Sequence, residues 1–249
     1  MEKIAEILAA PKSSQSMPDY IPSSAEYECT DCKDREFLYK EHGGDWVAVP
    51  CHCRPKKRMR RLIRASGLTE MLRKKTFDNF KPKPKQQEMY RVATDFAKNY
   101  PNIKNKRCNG LAYTGTVGTG KTHLLAAIAN FLLSKGISVC FVNTPSFISE
   151  LRRSQFEEGR IDEQVDAISN IEVVVFDDLA KEKSTEWVQN QYYKIVNHRY
   201  INNLPTLFST NSNMEELEEK LGDATASRLY AMTKDRLIHI VDEDHRIIE

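Results

Sequence analysis

The eight residues GTVGTGKT, which span Gly115–Thr122, limit the fold more than any other part of the sequence. They fit the phosphate-loop pattern G-x-x-x-x-G-K-[ST], and their flanks agree with it. GLAYT (Gly110–Thr114) predicts a short buried strand before the loop, and HLLAAIANFLL (His123–Leu133) has the apolar spacing of a helix after it. This order predicts an α/β domain whose parallel sheet is flanked by helices.

The loop predicts a nucleotide site. Its glycines let backbone N–H groups turn inward around phosphate oxygens, at the positive end of the following helix. Lys121 is expected to reach the β- and γ-phosphates of ATP, and the Thr122 hydroxyl is expected to hold Mg²⁺. A glycine-rich turn that binds nothing is the alternative, which the flanking strand and helix disfavour. The residues expected to bind the cofactor are Gly115, Thr116, Val117, Gly118, Thr119, Gly120, Lys121 and Thr122.

Length and composition set the class of protein. A chain of 249 residues has room for one α/β domain and a small appendage. No apolar run approaches the roughly eighteen residues of a membrane span, and the N-terminus lacks the apolar core of a signal peptide. These features predict a cytoplasmic protein without a membrane partner. The stretch PKSSQSMPDYIPSS (Pro11–Ser24) is typical of a flexible linker.

Four of the six cysteines are clustered near the N-terminus and predict a zinc ribbon. Two closely spaced thiolates from one turn and two from another complete a tetrahedral metal site. The intervening residues REFLYKEHGGDWVAV predict two short strands joined at Gly43–Gly44. So short a segment has too little core to fold alone, so the metal would supply its stability. The predicted ligands are Cys29, Cys32, Cys51 and Cys53.

The identity of the fourth zinc ligand stays open, because the second pair is C-x-C rather than C-x-x-C. His42 or His52 could replace one cysteine. A disulfide is disfavoured in a reducing cytosol, and free thiols are the remaining alternative. The other two cysteines, Cys108 and Cys140, lie beside or within apolar stretches and are expected in the core.

The net charge of +2 hides a strong local asymmetry. Residues Arg54–Lys85 contain thirteen Lys or Arg and two acids, so the rest of the chain is acidic overall. Within this stretch, RPKKRMRRLIRASG (Arg54–Gly67) predicts a basic helix that could lie along a phosphate backbone or on an acidic protein face. A solvated linker helix is the third interpretation. The helix has no aromatic residue for base stacking, so nucleic-acid contacts would be with phosphates and without sequence preference.

Two further apolar stretches predict the rest of the ATP site. VVVFDD (Val173–Asp178) predicts a buried strand that ends in two acids. Asp177 is expected to join Thr122 in the Mg²⁺ shell, and Asp178 is expected to face the attacking water.

LPTLFSTN (Leu204–Asn211) predicts another buried strand, with Asn211 at its tip. Asn211 could cap a helix or sense the γ-phosphate. Asn213 and Glu216 already make a plausible capping pair for the segment MEELEEKL, which favours the sensor role for Asn211.

The order of these motifs resembles the bacterial and phage helicase loaders of the DnaC/DnaI type. That family is a branch of the AAA+ ATPases and shares an IstB-like ATP-binding core. The similarity runs from about Tyr27 to the C-terminus. The similar segments are, in order, the cysteine pairs, the basic linker, TFDNF (Thr76–Phe80), GTVGTGKTHL, VVVFDDL, PTLFSTNSNMEEL and SRL.

The resemblance implies roles that the residues alone leave open. Asn211 corresponds to sensor 1, and Arg228 to the arginine that completes the ATP site of a neighbouring subunit. TFDNF lies where the family packs the adenine base. The segment Thr144–Ser169 occupies the helical insertion that the family uses against single-stranded DNA, with Arg152, Arg153 and Arg160 as candidates. The implied catalytic residues are Lys121, Asp177, Asp178, Asn211 and Arg228.

The resemblance also implies three parts and three partners. Residues 1–54 would form the N-terminal segment and zinc ribbon that bind the helicase, 55–85 a basic linker, and 86–249 the AAA+ ATPase domain. The partners would be a hexameric replicative helicase, single-stranded DNA and, through the ATP sites, further copies of the chain. ATP would favour the associated state that grips DNA, and hydrolysis would release it.

Two features depart from the family pattern. Asp178 stands where many AAA+ proteins have Glu, and its shorter side chain is expected to hold the attacking water less well and to slow hydrolysis. Only 38 residues follow Asn211, too few for a full C-terminal helical lid. The alternatives are a transposase-helper ATPase of the IstB type, which typically lacks the zinc ribbon, and a replication adaptor that binds ATP without hydrolysing it.

Overall fold

The structure is a computed structural model that describes residues 27–42, 45–156 and 159–244. The predicted linker Pro11–Ser24 and the turn Gly43–Gly44 lie outside these ranges. Within them, no helix combines the length and the apolar composition needed to cross a membrane.

The first part of the chain is a two-stranded hairpin followed by a helix. Strands β1 (Phe37–His42) and β2 (Asp45–Pro50) pair antiparallel, with Phe37 opposite Pro50 and His42 opposite Asp45. Helix α1 (Arg54–Ala65) begins directly after the last cysteine of the cluster, with proline at its start, where no backbone donor is needed. The strands and the basic helix predicted for this region are therefore present.

The second part is built on a five-stranded parallel sheet in the order β4-β5-β6-β3-β7. Strands β3, β5 and β6 are buried along their whole length, because helices cover both faces of the sheet. Strand β7 was not predicted, since LIHI is short and half-exposed. The strands are β3 (Leu111–Gly115), β4 (Val139–Asn143), β5 (Val173–Asp177), β6 (Thr206–Thr210) and β7 (Leu237–Ile240).

Several helices of the second part begin at a side chain that satisfies one of their first N–H groups. Asn143, Thr185 and Asn213 each accept a hydrogen bond from the backbone three residues later. The predicted pairing of Asn213 with Glu216 is confirmed as a reciprocal capping box. The helices are α2 (Glu70–Arg73), α3 (Gln87–Ile103), α4 (Lys121–Ser134), α5 (Thr144–Arg153), α6 (Arg160–Asn170), α7 (Glu186–Ile201), α8 (Met214–Leu221) and α9 (Asp223–Thr233).

The sheet has a separate apolar core on each face. Helices α3 and α4 pack on one face, around Phe96, Tyr113 and Leu124. Helices α5 to α9 pack on the other, around Phe176 and Tyr192. The fold therefore agrees with the predicted parallel sheet flanked by helices.

The basic stretch packs on the sheet domain through the turn after α1. Leu68 is buried in the first core, and the Phe141 N–H donates to the Ser66 carbonyl (2.6 Å). Gly67 has a φ of +70°, and a Cβ there would stand 2.4 Å from the Phe141 oxygen. A side chain at this position would be strained and would clash, so glycine allows the close approach. This contact holds the hairpin and α1 beside strand β4.

The two cysteines outside the cluster differ in burial. Cys140 lies in β4 and is buried, as predicted. Cys108 is only half-buried, because it stands in the connection before β3 rather than in the strand.

Candidate ATP site and metal centre

The glycine-rich loop joins the carboxyl end of β3 to the start of α4. Gly118 and Gly120 have φ values of +73° and +92°, a conformation that glycine adopts without strain. A Cβ on Gly120 would lie 2.7 Å from the Phe80 ring. The sequence therefore needs glycine here for the backbone conformation and for the close approach of Phe80.

Lys121 lies inside this loop rather than in solvent. Its side chain is buried, and its Nζ donates to the carbonyl oxygens of Gly115 (2.8 Å) and Thr116 (2.5 Å). These contacts hold a cation where the loop curves. Phosphate oxygens could replace the two carbonyls as its acceptors.

Asp177, at the end of β5, is the centre of a hydrogen-bonded cluster. Its Oδ1 accepts from the hydroxyls of Thr122 (2.8 Å) and Ser209 (2.6 Å). Burial raises the pKa of Asp177, and the hydrogen bonds from Ser209 and Thr122 partly offset this effect. A hydroxyl and a carboxylate in contact at the loop are the ligand types that Mg²⁺ prefers, and a divalent cation would favour the ionised carboxylate. The predicted metal pair Thr122 and Asp177 fits Mg²⁺.

Asp178 has a left-handed backbone conformation, and its carboxylate forms an ion pair. Its φ is +56°, and the Thr144 hydroxyl fixes this turn by donating to the carbonyls of Asp177 (3.1 Å) and Asp178 (2.7 Å). The Asp178 carboxylate pairs with Lys181 at 2.8 Å. Sequence reasoning missed Thr144, Lys181 and Ser209, because each acts across a turn or from another strand.

A cleft of about 460 Å³ brings most of the predicted site residues together. It is lined by loop residues from Val117 to Thr122, by Asp178 and Lys181, and by Asn211, which follows β6. All of these lie at the carboxyl edge of the sheet, where open α/β sheets bind their ligands. The site contains Lys121, the Thr122–Asp177 pair, Asp178 and Asn211.

Arg228 is not among the residues that line the cleft. It lies on α9, half-buried, with its guanidinium 5.3 Å from the centre of the Tyr193 ring and 5.8 Å from that of Tyr200. Its Nη1 donates to the Ala224 carbonyl (2.7 Å). Arg228 therefore lies outside the cleft of its own chain, unlike the other predicted catalytic residues. The role that the family resemblance implies for it is in the ATP site of a neighbouring subunit.

TFDNF forms an aromatic wall beside the loop. The Phe80 ring stacks on Tyr90, with centroids 6.0 Å apart and planes within 6°. His123 meets Phe80 edge-on at 5.0 Å, and its Nε2 lies 3.1 Å from the Thr76 carbonyl. The wall borders Gly120, so the implied adenine position adjoins the phosphate loop.

The insertion predicted at Thr144–Ser169 contains helices α5 and α6. Arg152 and Arg153 end α5 and are exposed, and Arg160 begins α6. None of the three lines the ATP cleft.

The residues after β7 lie along the phosphate loop, and no sequence signal indicated this. The Thr116 N–H donates to the Ile240 carbonyl (3.0 Å), and the Thr116 hydroxyl donates to the Asp242 carbonyl (2.8 Å). Farther on, Asp244 approaches so closely that a Cβ on Gly118 would stand 1.8 Å from its Oδ1. This segment places acidic side chains beside the loop.

The four clustered cysteines fit a metal ion. Their Sγ atoms all lie within 4.8 Å of one another, with Cys29 3.7 Å from Cys51 and Cys32 3.5 Å from Cys53. Zinc bound tetrahedrally at about 2.3 Å separates its sulfur ligands by about 3.8 Å. The distances agree with that spacing and are far longer than a disulfide bond.

Neither histidine belongs to this group. His42 is exposed at the end of β1. His52 Nδ1 lies 3.6 Å from Cys51 Sγ but pairs with Asp31 (3.4 Å), and its side chain is 72% exposed. Four cysteines are therefore a better ligand set than three cysteines with His42 or His52.

Helix α1 holds the hairpin region through ion pairs. Lys57 contacts Asp34 (2.6 Å), and Arg60 contacts Glu28 (2.6 Å). Arg61 forms a bidentate ion pair with Glu36. These cations lower the pKa of Asp34 and of Glu36. Part of the basic charge of α1 therefore fixes the helix against the hairpin region, so α1 is more than a solvated linker helix.

Comparisons with known proteins agree with the motif order. Residues 19–244 match the family model described as IstB-like ATP binding protein. The uncharacterized protein YqaM of Bacillus subtilis (strain 168) is 31% identical over 220 residues, which cover 85% of this chain and 67% of that protein. The replicative helicase loader DnaI of the same strain is 35% identical over 136 residues, or 54% of this chain and 43% of DnaI.

A solved structure gives the same result. The crystal structure of the DnaC helicase loader has a TM-score of 0.61 and 27% identity, and the match covers 70% of this chain and 100% of that one. The chain therefore belongs to the family of IstB-like ATP-binding proteins and is of the DnaC/DnaI type, as its order of motifs predicts.

Proposed function

We propose that this protein is an ATP-dependent loader of a replicative helicase. The observation that carries the proposal is the ATP cleft, in which Lys121, the Thr122–Asp177 pair and Asn211 converge on a fold shared with a helicase loader. The protein acts in the cytoplasm, where the chromosome is copied.

The residues of the cleft bind and sense ATP. The loop amides and Lys121 hold the phosphates, and Thr122 and Asp177 hold Mg²⁺. Asn211 lines the same cleft and senses the γ-phosphate. Mg²⁺ held by Thr122 and Asp177 would supply positive charge against the phosphate oxygens during transfer.

Subunits associate through the ATP site. Arg228 lies outside its own cleft and completes the site of the next subunit, where its charge stabilises the transferred phosphoryl group. The subunits grip single-stranded DNA through Arg152, Arg153 and Arg160, and hydrolysis releases them.

The N-terminal 54 residues bind the hexameric helicase, and zinc at the four cysteines keeps this part folded. The hairpin offers a surface for a partner. Tyr39 is 64% exposed and Trp46 is 71% exposed, and the strand register puts both on the same face. Large aromatic side chains of this kind are enriched at protein interfaces.

A second candidate is a switch that binds ATP and hydrolyses it very slowly. The ion pair between Asp178 and Lys181 favours it, because a carboxylate engaged by an ammonium is a weaker base. Lys181→Ala should raise turnover severalfold if Asp178 is the base, and the double variant with Asp178→Ala should lose that gain. The transposase-helper alternative has no observation of this kind in its favour.

The test is a binding assay of the tagged protein with the purified replicative helicase of its host. Lys121→Ala should retain helicase binding and lose the effect of ATP. Tyr39→Ala/Trp46→Ala should lose helicase binding and keep ATP binding. If the wild-type protein does not bind the helicase, or if helicase binding and ATP binding fail together in both variants, the proposal is wrong.

A further inference from the structure

A second cleft with a charged lining lies away from the ATP site. It has a volume of about 990 Å³ and separates helix α1 from the carboxyl end of α4. Helix α4 has 14 residues and begins at the phosphate loop, so the two clefts are separated by about 20 Å along its axis. This second cleft is called the α1–α4 cleft below.

The charged residues that line the α1–α4 cleft are all cationic. Arg54, Arg58 and Arg61 come from α1, and Lys135 faces them from the end of α4. Among the described residues that line the cleft, none is acidic and none is aromatic. The cleft is therefore an anion site by charge, and it lacks the aromatic anchors that protein interfaces favour.

Much of this charge has no acidic partner among the described residues. Lys57 and Arg60, which pair with acids, face the cysteine cluster on another side of α1. Arg61 pairs with Glu36, but Arg58 has no ion pair within residues 27–42, 45–156 and 159–244. Lys135 has no ion pair with any described residue, and its Nζ lies 5.4 Å from the centre of the Phe131 ring. Helix α1 thus uses one side for the hairpin region and directs cations from another into the cleft.

The spacing of the arginines fits a chain of phosphates. Positions 54, 58 and 61 share one face of α1 and extend over about 10 Å along its axis. One strand of a duplex presents about three phosphates in that length, and an extended single strand, whose phosphates are farther apart, presents about two. Guanidinium groups also match phosphate geometry better than ammonium groups. A single small anion would use only a fraction of this surface.

We propose that the α1–α4 cleft binds the phosphate backbone of single-stranded DNA without sequence preference. The cleft is a recess of about 990 Å³ between two helices, which favours a single strand over a duplex as its occupant. The site is separate from the insertion arginines, which lie on α5 and α6, and the inference does not depend on helicase loading. Because α4 also begins at the phosphate loop, one helix would contact both ligands.

The test measures binding of a labelled oligo-dT strand to the full chain by fluorescence anisotropy at several salt concentrations. Arg58→Glu/Lys135→Glu removes two phosphate contacts, so affinity at low salt should fall about tenfold or more. The slope of log affinity against log salt should become shallower by about 1.4. Lys98→Glu/Lys234→Glu, which reverses two exposed charges outside the cleft, is the matched control and should bind nearly as well as wild type.

Zinc content, the thermal midpoint and ATP binding of each variant show whether the fold is intact. A strand of mixed sequence should bind like oligo-dT. The proposal is overturned if wild type does not bind the strand, or if the cleft variant keeps wild-type affinity and slope. It is also overturned if the cleft variant loses binding to polyglutamate and not to DNA, which would identify an acidic protein as the occupant.

Discussion

At the scale of single residues, the buried carboxylate of Asp177 couples the stability of the fold to pH and to metal binding. Its carboxylate is largely buried and accepts hydrogen bonds from two neutral hydroxyls. Burial therefore raises its pKa above the ordinary range of an aspartate. As the pH rises through that range towards the raised pKa, the unfolded chain loses its proton first, so the metal-free fold loses stability. Mg²⁺ bound to Asp177 would reverse this loss of stability because it favours the ionised form.

Asp177→Asn should separate these two effects. The amide oxygen can still accept from Thr122 and Ser209, while the buried charge is gone. At neutral pH without Mg²⁺ the thermal midpoint should rise by roughly 2–4 °C. The stabilisation that Mg²⁺ and ATP give to the wild-type protein should be lost. Thermal melts with and without both ligands test this, and a variant that Mg²⁺ and ATP stabilise as strongly as wild type would exclude Asp177 as a ligand.

The neighbours of Asp177 show what a sequence can predict about such a site. Lys121, Thr122 and Asp177 could be predicted because they lie in or directly after motifs with fixed spacing. Ser209 looks like an ordinary strand residue, and it reaches Asp177 only because β6 pairs with β5. Thr144 starts a helix after another strand, and Lys181 follows a turn. The Ser209 and Thr144 contacts depend on the pairing of strands, which local sequence does not encode, and the Lys181 contact depends on the conformation of the turn after β5.

At the scale of elements, Arg199 joins three parts of the second core. It is fully buried at the end of α7, and its guanidinium donates to carbonyls before β5 and before β6. Nothing in the sequence NHRYI distinguishes it from a surface cation at a helix end. The Pro205 carbonyl also accepts from the Val174 N–H (3.2 Å), whereas the buried Ile171 carbonyl relies on Arg199 for its donor.

Arg199→Met should therefore reduce the free energy of unfolding by roughly 3 kcal/mol or more, because several buried carbonyls lose a donor. Lys194→Met, on the exposed side of the same helix, should change it by about 0.5 kcal/mol or less. Urea unfolding followed by circular dichroism gives both values. Equal effects of the two substitutions would show that Arg199 is not a structural link.

The cysteine cluster makes a second prediction at this scale. The protein purified without added metal should contain about one zinc per chain, because the hairpin has too small a core to fold alone. Cys51→Ser should lose the zinc, while Cys108→Ser should keep it and ATP binding should survive in both. Elemental analysis and a nucleotide-binding assay measure these outcomes. A metal-free chain whose hairpin region is folded would contradict the assignment.

At the scale of the whole molecule, the α/β core was predictable because its strands are continuous apolar runs between recognisable motifs. The position of the C-terminal residues was not, since β7 is short and reaches β3 from the far end of the chain. The α1–α4 cleft was not predictable either, because it forms where α1 docks on the sheet domain, next to the close contact of Gly67 with Phe141. Long-range docking of this kind leaves little trace in local sequence patterns.

Arg228 is the residue through which the proposed assembly of subunits can be tested. If it completes a neighbouring site, Arg228→Ala should bind ATP but hydrolyse it at least about 10³-fold more slowly. Mixing it with Lys121→Ala should restore part of the activity, because one variant supplies the phosphate loop and the other the arginine. Turnover measured with DNA and helicase at several protein concentrations tests this. Normal turnover by Arg228→Ala alone would exclude the shared site.

The central claim is that ATP in this cleft drives the loading of a helicase. The most direct measurement is unwinding by the replicative helicase on a closed circular single strand with an annealed oligonucleotide, since the helicase ring must be placed on DNA that has no end. Wild-type protein with ATP should start unwinding, and Lys121→Ala should not, although it still binds the helicase. If Lys121→Ala starts unwinding as well as wild type, or if wild type has no effect, the account is contradicted.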